Sequence, residues 1–422
     1  MDLLVILFVS IVLIATVVKY RIKGVLYLSG FMLPFRMVLF SVGDVPFRLN
    51  DIFYIILILT FTITSIKNID KIKVKGISVI FGFYYIMLLS IIFNVHRIQI
   101  SSALISLFRT SLAVFSGYFV AKNLDKEEKK IFIKYWVFSS VVVGIITVGS
   151  FMVNSENIKI IFQIFSLNVA DFYALKFSNS LFFEDPNNFA GYLLISIFLL
   201  IYYLQGVKKR KKIVSILLIS LLLFTLFLSL SRSAYIGFLV GAMGIYIFMT
   251  KKDKIVPQIA LISIPFFVSI AAIIVYDRLI QDVSAYSRLE LWAVGIKMSF
   301  NNPVFGVGLS NSTNLFYQYA QNNLIINNPH FHNLFLKISA ELGIVGLFCF
   351  MIMLWKIFKQ VFINSKNPKN IMIFGMAAFL TQSIFVEYFE SRHFWLLLVF
   401  LYYEFNTRGE ENEVNINLNA SI

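Results

Sequence analysis

Two of the four histidines in this chain, His330 and His332, lie where a long polar segment returns to a hydrophobic run that carries Glu341. An ionisable pair at such a boundary costs free energy and is usually retained for chemistry. Because a neutral imidazole accepts a proton near pH 7, the pair predicts proton transfer. Two alternatives remain open: His-x-His can supply two metal ligands, or the segment can cap the following helix.

Arginine is the second residue type that indicates chemistry. Its guanidinium group is a planar fork that binds phosphate oxygens with two hydrogen bonds. Arg109 lies in the middle of an apolar run, where a charge without a partner costs about 3 kcal/mol or more. Each arginine could instead pair with a carboxylate or reach lipid headgroups. The arginines predicted to lie on the outer side of the membrane are Arg36, Arg48, Arg97, Arg109, Arg232, Arg278, Arg288 and Arg392.

The composition indicates a membrane protein, since 59% of the residues are hydrophobic and only 14% are charged. Apolar runs long enough to cross about 30 Å of hydrocarbon recur along the chain. We count thirteen and expect twelve to fourteen transmembrane helices, from runs near 2–18, 25–41, 50–66, 76–94, 101–121, 131–153, 189–205, 213–230, 234–250, 255–276, 342–358, 371–389 and 394–406. The predicted fold is an all-α polytopic membrane protein with a single transmembrane domain over residues 1–406.

Basic clusters fall in every second gap between these runs, which predicts that those gaps are cytoplasmic. The net charge of +15 follows mainly from this pattern and from attraction to anionic lipid, so no nucleic-acid partner is expected. The first run has neither a basic leader nor a cleavage motif, and we expect it to be a retained anchor. The Asn- and Glu-rich tail over 407–422 is expected to be disordered and cytoplasmic.

The predicted outer side holds two long segments, at about 154–188 and 277–333, that exceed ordinary connections. The first ends in an asparagine pair, Asn187 and Asn188, that could cap the next helix or contact a substrate. The second contains a tight turn at Pro303-x-x-Gly306-x-Gly308. This turn is no dinucleotide fingerprint, because no strand precedes it and the third glycine is absent.

Five motifs occur in order: Asp185-Pro186-Asn187-Asn188, the Ser229–Ala234 boundary, Arg288 with Trp292, the glycine turn, and His332-Asn333-x-x-Leu336 leading to Glu341-x-Gly343-x-x-Gly346. On a multispanning chain of this length, they resemble the O-antigen polymerase and O-antigen ligase family over about residues 180–350. The resemblance implies a GT-C-like membrane glycosyltransferase that uses undecaprenyl-diphosphate-linked sugars, with no cofactor and no metal. It also implies an inner-membrane location with the active site facing the periplasm.

The resemblance further implies roles for individual residues. Arg232 and Arg288 would stabilise the charge that develops on the leaving diphosphate, and His332 would act as the base or a transition-state contact. The other predicted substrate-binding residues are Arg109, Arg36, His330, Asn333, Asn187 and Glu341. Glu341 could equally pair with an arginine, and a metal site at His330 and His332 would need His393 to complete it.

We expect a polymerase, which joins a growing glycan from one undecaprenyl diphosphate to another lipid-linked repeat unit. The preference over a ligase, which transfers glycan to lipid A-core, rests only on the greater number and variety of polymerases. A flippase for lipid-linked oligosaccharides is the alternative of another class, although we find no internal repeat. The expected partners are an undecaprenyl-diphosphate-linked oligosaccharide, membrane lipid and a chain-length regulator protein.

Overall fold

Helices dominate the chain, as its apolar runs predict. The computed structural model describes residues 2–42, 45–66, 78–153, 182–183, 185–204, 212–248, 283–320, 329–364 and 371–402. The helices in these ranges are α1 (Asp2–Tyr20), α2 (Ile22–Phe31), α3 (Leu49–Ile66), α4 (Ser78–Phe93), α5 (Ile100–Asn123), α6 (Lys126–Val153), α7 (Pro186–Tyr203), α8 (Lys212–Leu228), α9 (Arg232–Phe248), α10 (Val283–Asn301), α11 (Ser312–Tyr319), α12 (Leu334–Asn364), α13 (Ile371–Gln382) and α14 (Arg392–Tyr402).

Four helices of the described chain, in α5, α6, α7 and α12, are long and apolar enough to cross a membrane. Eight shorter apolar helices accompany them within the same ranges. The prediction of an all-α polytopic membrane protein is therefore confirmed. The predicted span at 255–276, most of the segment at 154–188 and the tail at 407–422 lie outside the described residues.

The apolar run at 25–41 is not one helix, so its prediction as a span was wrong. Helix α2 ends at Phe31, and Pro34 follows, which cannot continue a helix without loss of a hydrogen bond. Strands β1 (Val38–Val42) and β2 (Val45–Arg48) then form an antiparallel hairpin. The rings of Phe40 and Phe47 stack across it, because the two residues lie directly opposite each other in the paired strands.

Close helix contacts hold the bundle together around α7, which is buried over most of its length. On α9, Gly237 and Gly241 face the main chain of α13, and an added Cβ would lie 2.4 Å from Ala378 O and 2.9 Å from Phe374 O. Small residues at this spacing allow two helix backbones to approach. Helices α7, α9 and α13 therefore form a tightly packed unit on which the ends of other elements meet.

Helix α12 runs from Leu334 to Asn364 across a local break, so it begins before the span predicted near 342–358. Gly343 has φ 74° there, and Ile344 N donates to Pro303 O at 2.7 Å. The glycine turn inserts against the break, with Val307 N donating to Ala340 O at 2.8 Å. An added Cβ on Gly306 would lie 2.3 Å from Glu341 C, so only glycine fits.

Candidate active site

A cavity of about 260 Å³ lies where the beginnings of α7, α12 and α14 meet the segment after α2. Its wall carries basic, acidic and hydroxyl side chains. Its lining residues are Leu33, Arg36, Phe183, Asn188, Ser310, Thr313, His330, Lys337, Glu341, Glu387, Phe389, Glu390, Ser391, Arg392 and His393. Such a mixture suits a ligand with both negative charge and hydroxyl groups.

The lysine-rich helix ends gather at the opposite end of the bundle. Lys126, Lys129 and Lys130 at the start of α6 lie beside Tyr202 and Phe400, near the ends of α7 and α14. Lys23 pairs with Glu128 at that same end. The predicted cytoplasmic charges and the cavity are thus separated by the length of the helices.

Residues 329–333, here called the histidine segment, lead into the start of α12. Neighbouring elements fix this segment. Phe331 N donates to Glu387 Oε1 at 2.7 Å, and Trp292 Nε1 donates to Phe331 O at 2.9 Å. Leu334 N donates to Ser383 O at 2.9 Å. Asn333 Oδ1 accepts from Leu336 N at 3.0 Å, so Asn333 serves as a cap for α12.

His332 is half-buried and adopts a left-handed backbone conformation, with φ 51°. This region is unfavourable for residues other than glycine and often marks functional sites. Burial lowers the pKa of His332, and the positive charge of Arg288 lowers it further, against the opposing effect of Glu387. The imidazole is therefore neutral at pH 7 and able to accept a proton.

Arg288 and Arg232 approach this end of the bundle from two directions. Arg288 lies on α10, close enough to His332 to affect its pKa. Arg232 is the first residue of α9, and the preceding Ser231 donates from Oγ to Asn187 Oδ1 at 3.0 Å. Leu230 has φ 46°, so the corner between α8 and α9 is another left-handed turn. Arg232, Arg288 and His332 thus lie at the same end of the fold.

The cavity itself contains only part of the predicted set. Among the described residues that line it are the predicted Arg36, His330 and Glu341. The cavity lining within the same described ranges does not include His332, Arg232, Arg288, Arg109, Asn333 or Asn187.

Asn187 and Asn188 do not cap α7, so that prediction was wrong. The cap is Asp185, whose Oδ1 accepts from Asn188 N at 3.0 Å and also from Asn187 N. Asn187 instead ties two elements to the start of α7, because its main-chain oxygen accepts from Gln382 Nε2 at 3.1 Å and from Tyr388 OH at 2.7 Å.

Glu341 and Arg109 both have partners of their own. Glu341 Oε1 accepts from Ser312 Oγ at 2.6 Å and lies 4.0 Å from Lys337 Nζ, so a lysine pairs with this carboxylate. Arg109 Nη2 donates to Pro46 O at 3.1 Å, and its Nη1 lies 3.7 Å from Glu390 Oε2. A carboxylate thus accompanies the charge that the sequence placed in mid-run.

Sequence reasoning missed Lys337, Glu387 and Glu390 and gave no specific role to Arg392. Arg392 pairs with Asp51, and both side chains are at least 95% buried. Arg36 lies over the ring of Phe183, 5.6 Å from its centroid. The sequence signal was present, since residues 387–393 hold two glutamates, an arginine and a histidine next to apolar runs.

His393 lies among the rings of Phe183, Tyr192, Phe379 and Tyr388. The centroids of the His330 and His332 rings are 6.4 Å apart. In the part of the chain that the structure describes, no group of three or more His, Cys, Asp or Glu residues is arranged to hold a metal ion.

Comparison with known proteins matches one segment of the chain to a family. A family described as O-antigen ligase matches residues 216–351, which include Arg232, Arg288, His330, His332 and Glu341. The resemblance to the O-antigen ligase family is confirmed. Arg36 and the cavity residues between 387 and 393 lie outside the O-antigen ligase segment. No solved structure matches the chain, so the GT-C-like fold remains a prediction.

Three curated relatives share this similarity. A protein of Rickettsia conorii, provisionally named a polysaccharide ligase, is 28% identical over 44% of this chain and 47% of its own length. The exopolysaccharide production protein ExoQ of Rhizobium meliloti is 27% identical over 25% of this chain and 27% of its own length. A provisionally named polysaccharide ligase of Rickettsia felis is 27% identical over 47% of this chain and 53% of its own length. The chain thus spans about half or less of the relatives that it matches.

Proposed function

We propose that this protein is a membrane glycan ligase, which transfers a glycan from a lipid diphosphate to a lipid-linked acceptor such as lipid A-core. The observation that carries the proposal is His332, neutral and left-handed, beside Arg288 within the O-antigen ligase segment. The donor and acceptor sites would open at the end of the bundle that holds the cavity, on the periplasmic side of the inner membrane.

The reaction needs a base and a cationic site for the leaving group. His332 takes the proton of the acceptor hydroxyl while the hydroxyl oxygen attacks the anomeric carbon of the donor sugar. The bond from that carbon to the diphosphate oxygen breaks at the same time. Negative charge then develops on the diphosphate, where Arg232, Arg288 and Arg36 stabilise the transition state more than the ground state. No metal is required in this scheme.

The cavity supplies the rest of the binding surface. Arg36 and Arg392 give it a cationic side, whereas Glu341 and Glu390 give it acceptors for sugar hydroxyls. Ser310, Thr313 and Asn188 add further polar groups. One site can therefore hold a phosphate and a sugar together.

A polymerase is the second candidate, and the match to an exopolysaccharide production protein supports it. The ligase takes precedence over the polymerase expected from the sequence because the family description and two of the three relatives name a ligase. A chain-length regulator would be a partner only of the polymerase.

Purified full-length protein in lipid nanodiscs can separate these activities. Undecaprenyl-diphosphate-linked repeat units are supplied alone or with lipid A-core, and products are resolved by gel electrophoresis and mass spectrometry. A ligase forms glycan on lipid A-core only when that acceptor is present. Longer lipid-linked glycans from the donor alone would identify a polymerase, and donor that moves across a vesicle without a new bond would identify a transporter.

A further inference from the structure

Glu387 lies in the irregular segment between α13 and α14, and it contacts the histidine segment directly. Oε1 accepts from Phe331 N at 2.7 Å, while Oε2 lies 3.3 Å from His330 Nδ1 and 3.3 Å from Lys337 Nζ. Its side chain is only 11% exposed. One buried carboxylate therefore joins the main chain, a ring and an ammonium group around a single turn.

The charge on Glu387 is firmly retained. Burial by itself would raise the pKa of the carboxyl, but Lys337 and the two histidines outweigh that effect and hold the pKa well below its usual range. The carboxylate is thus ionised throughout the pH range in which a histidine titrates.

Two of the contacts of Glu387, with His330 and with the Phe331 amide, lie just before His332 in the chain. Phe331 is held at its N–H by Glu387 and at its carbonyl by Trp292, and Leu334 is held by Ser383. His332 lies between these fixed points in its left-handed conformation. Such a conformation persists only where its surroundings enforce it.

We propose that Glu387 is a positioning residue, which fixes the turn at His332 through the Phe331 amide and places a buried negative charge near the His332 ring. The inference rests on the proposed function, in which His332 is the base. Four groups face His332 electrostatically: Arg288 on α10, Asp185 before α7, His330 in its own segment, and Glu387. Glu387 and Asp185 favour the protonated ring, whereas Arg288 and His330 disfavour it.

Two substitutions separate the effect of position from the effect of charge. Glu387→Gln keeps the size and an oxygen acceptor for Phe331 but removes the charge. Glu387→Asp keeps the charge on a shorter side chain. The matched control is Glu390→Gln, in the same segment and the same cavity wall, because Glu390 contacts Arg109 and not the histidine segment.

The test is NMR of the full chain in nanodiscs, labelled with ¹³C at histidine Cε1. Since the chain has only four histidines, single substitutions assign every signal. Glu387→Gln should move the His332 titration to lower pH, Glu387→Asp should broaden or split the His332 signal, and Glu390→Gln should leave the signal in place. An unchanged His332 signal in Glu387→Gln, or an equal change in Glu390→Gln, would overturn the proposal.

Glycan transfer provides the second measurement. Glu387→Gln should lower kcat by 10-fold or more, on the order of a lost orienting contact, while KM for the undecaprenyl-diphosphate donor stays within about twofold. Transfer that persists at the wild-type kcat would refute the positioning role. If the wild-type protein transfers no glycan, the proposed function fails, whereas the His332 titration still decides whether Glu387 controls that ring.

Discussion

Two regions build the candidate site, and they contribute different things. The O-antigen ligase segment at 216–351 supplies Arg232, Arg288 and His332, the groups with proposed roles in bond breaking. The regions outside it supply Arg36, Glu387 and Arg392, which line the cavity or hold the segment in place. The proposed reactive side chains thus lie in one stretch of the sequence, whereas distant parts of the chain form their surroundings.

The largest expected effect is at His332, in the ligase segment. His332→Ala should lower the rate of glycan transfer by about 10²–10⁴-fold, because a general base contributes that much, with little effect on donor binding. His330→Ala should keep part of the activity, and the wild-type activity should persist in EDTA. Activity lost to chelator and restored by zinc would instead indicate a metal at the two histidines.

The counterpart outside the segment is the buried pair of Asp51 and Arg392. Asp51→Asn or Arg392→Met alone should destabilise the fold by roughly 3–5 kcal/mol, because each leaves an uncompensated buried charge. The double substitution should recover much of that loss. Thermal unfolding in detergent measures all three variants, and additive losses would show that the pair does not act as a unit.

Arg288 tests whether the ligase segment acts through geometry or through charge alone. Arg288→Ala should reduce transfer by about 10²–10³-fold, comparable to loss of a group that stabilises an oxyanion. Arg288→Lys should restore little, since lysine keeps the charge but lacks the planar fork. The same pair of variants at Arg232 should behave alike. Full transfer by either lysine variant would mean that the arginine at this position contributes only its positive charge and not the hydrogen-bonding geometry of its guanidinium group.

Gly306 lies where the glycine turn meets α12. Gly306→Ala should destabilise the protein by about 1–3 kcal/mol or more, because φ is 64° and the new Cβ would overlap Glu341 C at 2.3 Å. Gly82→Ala is the matched control, since a Cβ there meets nothing within 4 Å. Equal stability of the two variants would contradict the close approach of the turn and the helix.

The smallest effect is the pH dependence of transfer. Because burial and Arg288 lower the pKa of His332, the neutral ring persists below pH 6.5, and the acid limb of kcat/KM should lie below that value. Arg288→Lys keeps the charge and should leave the limb nearly in place. Arg288→Ala should move the residual activity's limb to higher pH, as the positive charge no longer opposes protonation. A limb above pH 6.5 in the wild type would exclude His332 as the base.

The amino-acid sequence was enough to predict the fold class and to propose the main reactive residues. An apolar run that is long enough to cross a bilayer has few alternatives to a helix, because backbone N–H and C=O groups cannot remain unpaired in hydrocarbon. His332 and Arg288 were visible because ionisable residues beside such runs are rare. Arg109 was visible for the same reason, but its carboxylate partner, Glu390, lies 281 positions away and could not be read from local pattern.

Which polar groups meet depends on the folded arrangement and could not be read from the sequence. The asparagines in the first turn of α7 looked like a cap, yet Asp185 takes that role because its carboxylate accepts from two main-chain amides at once. The run at 25–41 is long enough for a span, yet Pro34 and the hairpin that follows interrupt it. Arg36, in this run, lines the cavity instead. Glu387 carried no motif, since a carboxylate that fixes a turn 56 residues earlier is defined by distance in space and not by spacing in the chain.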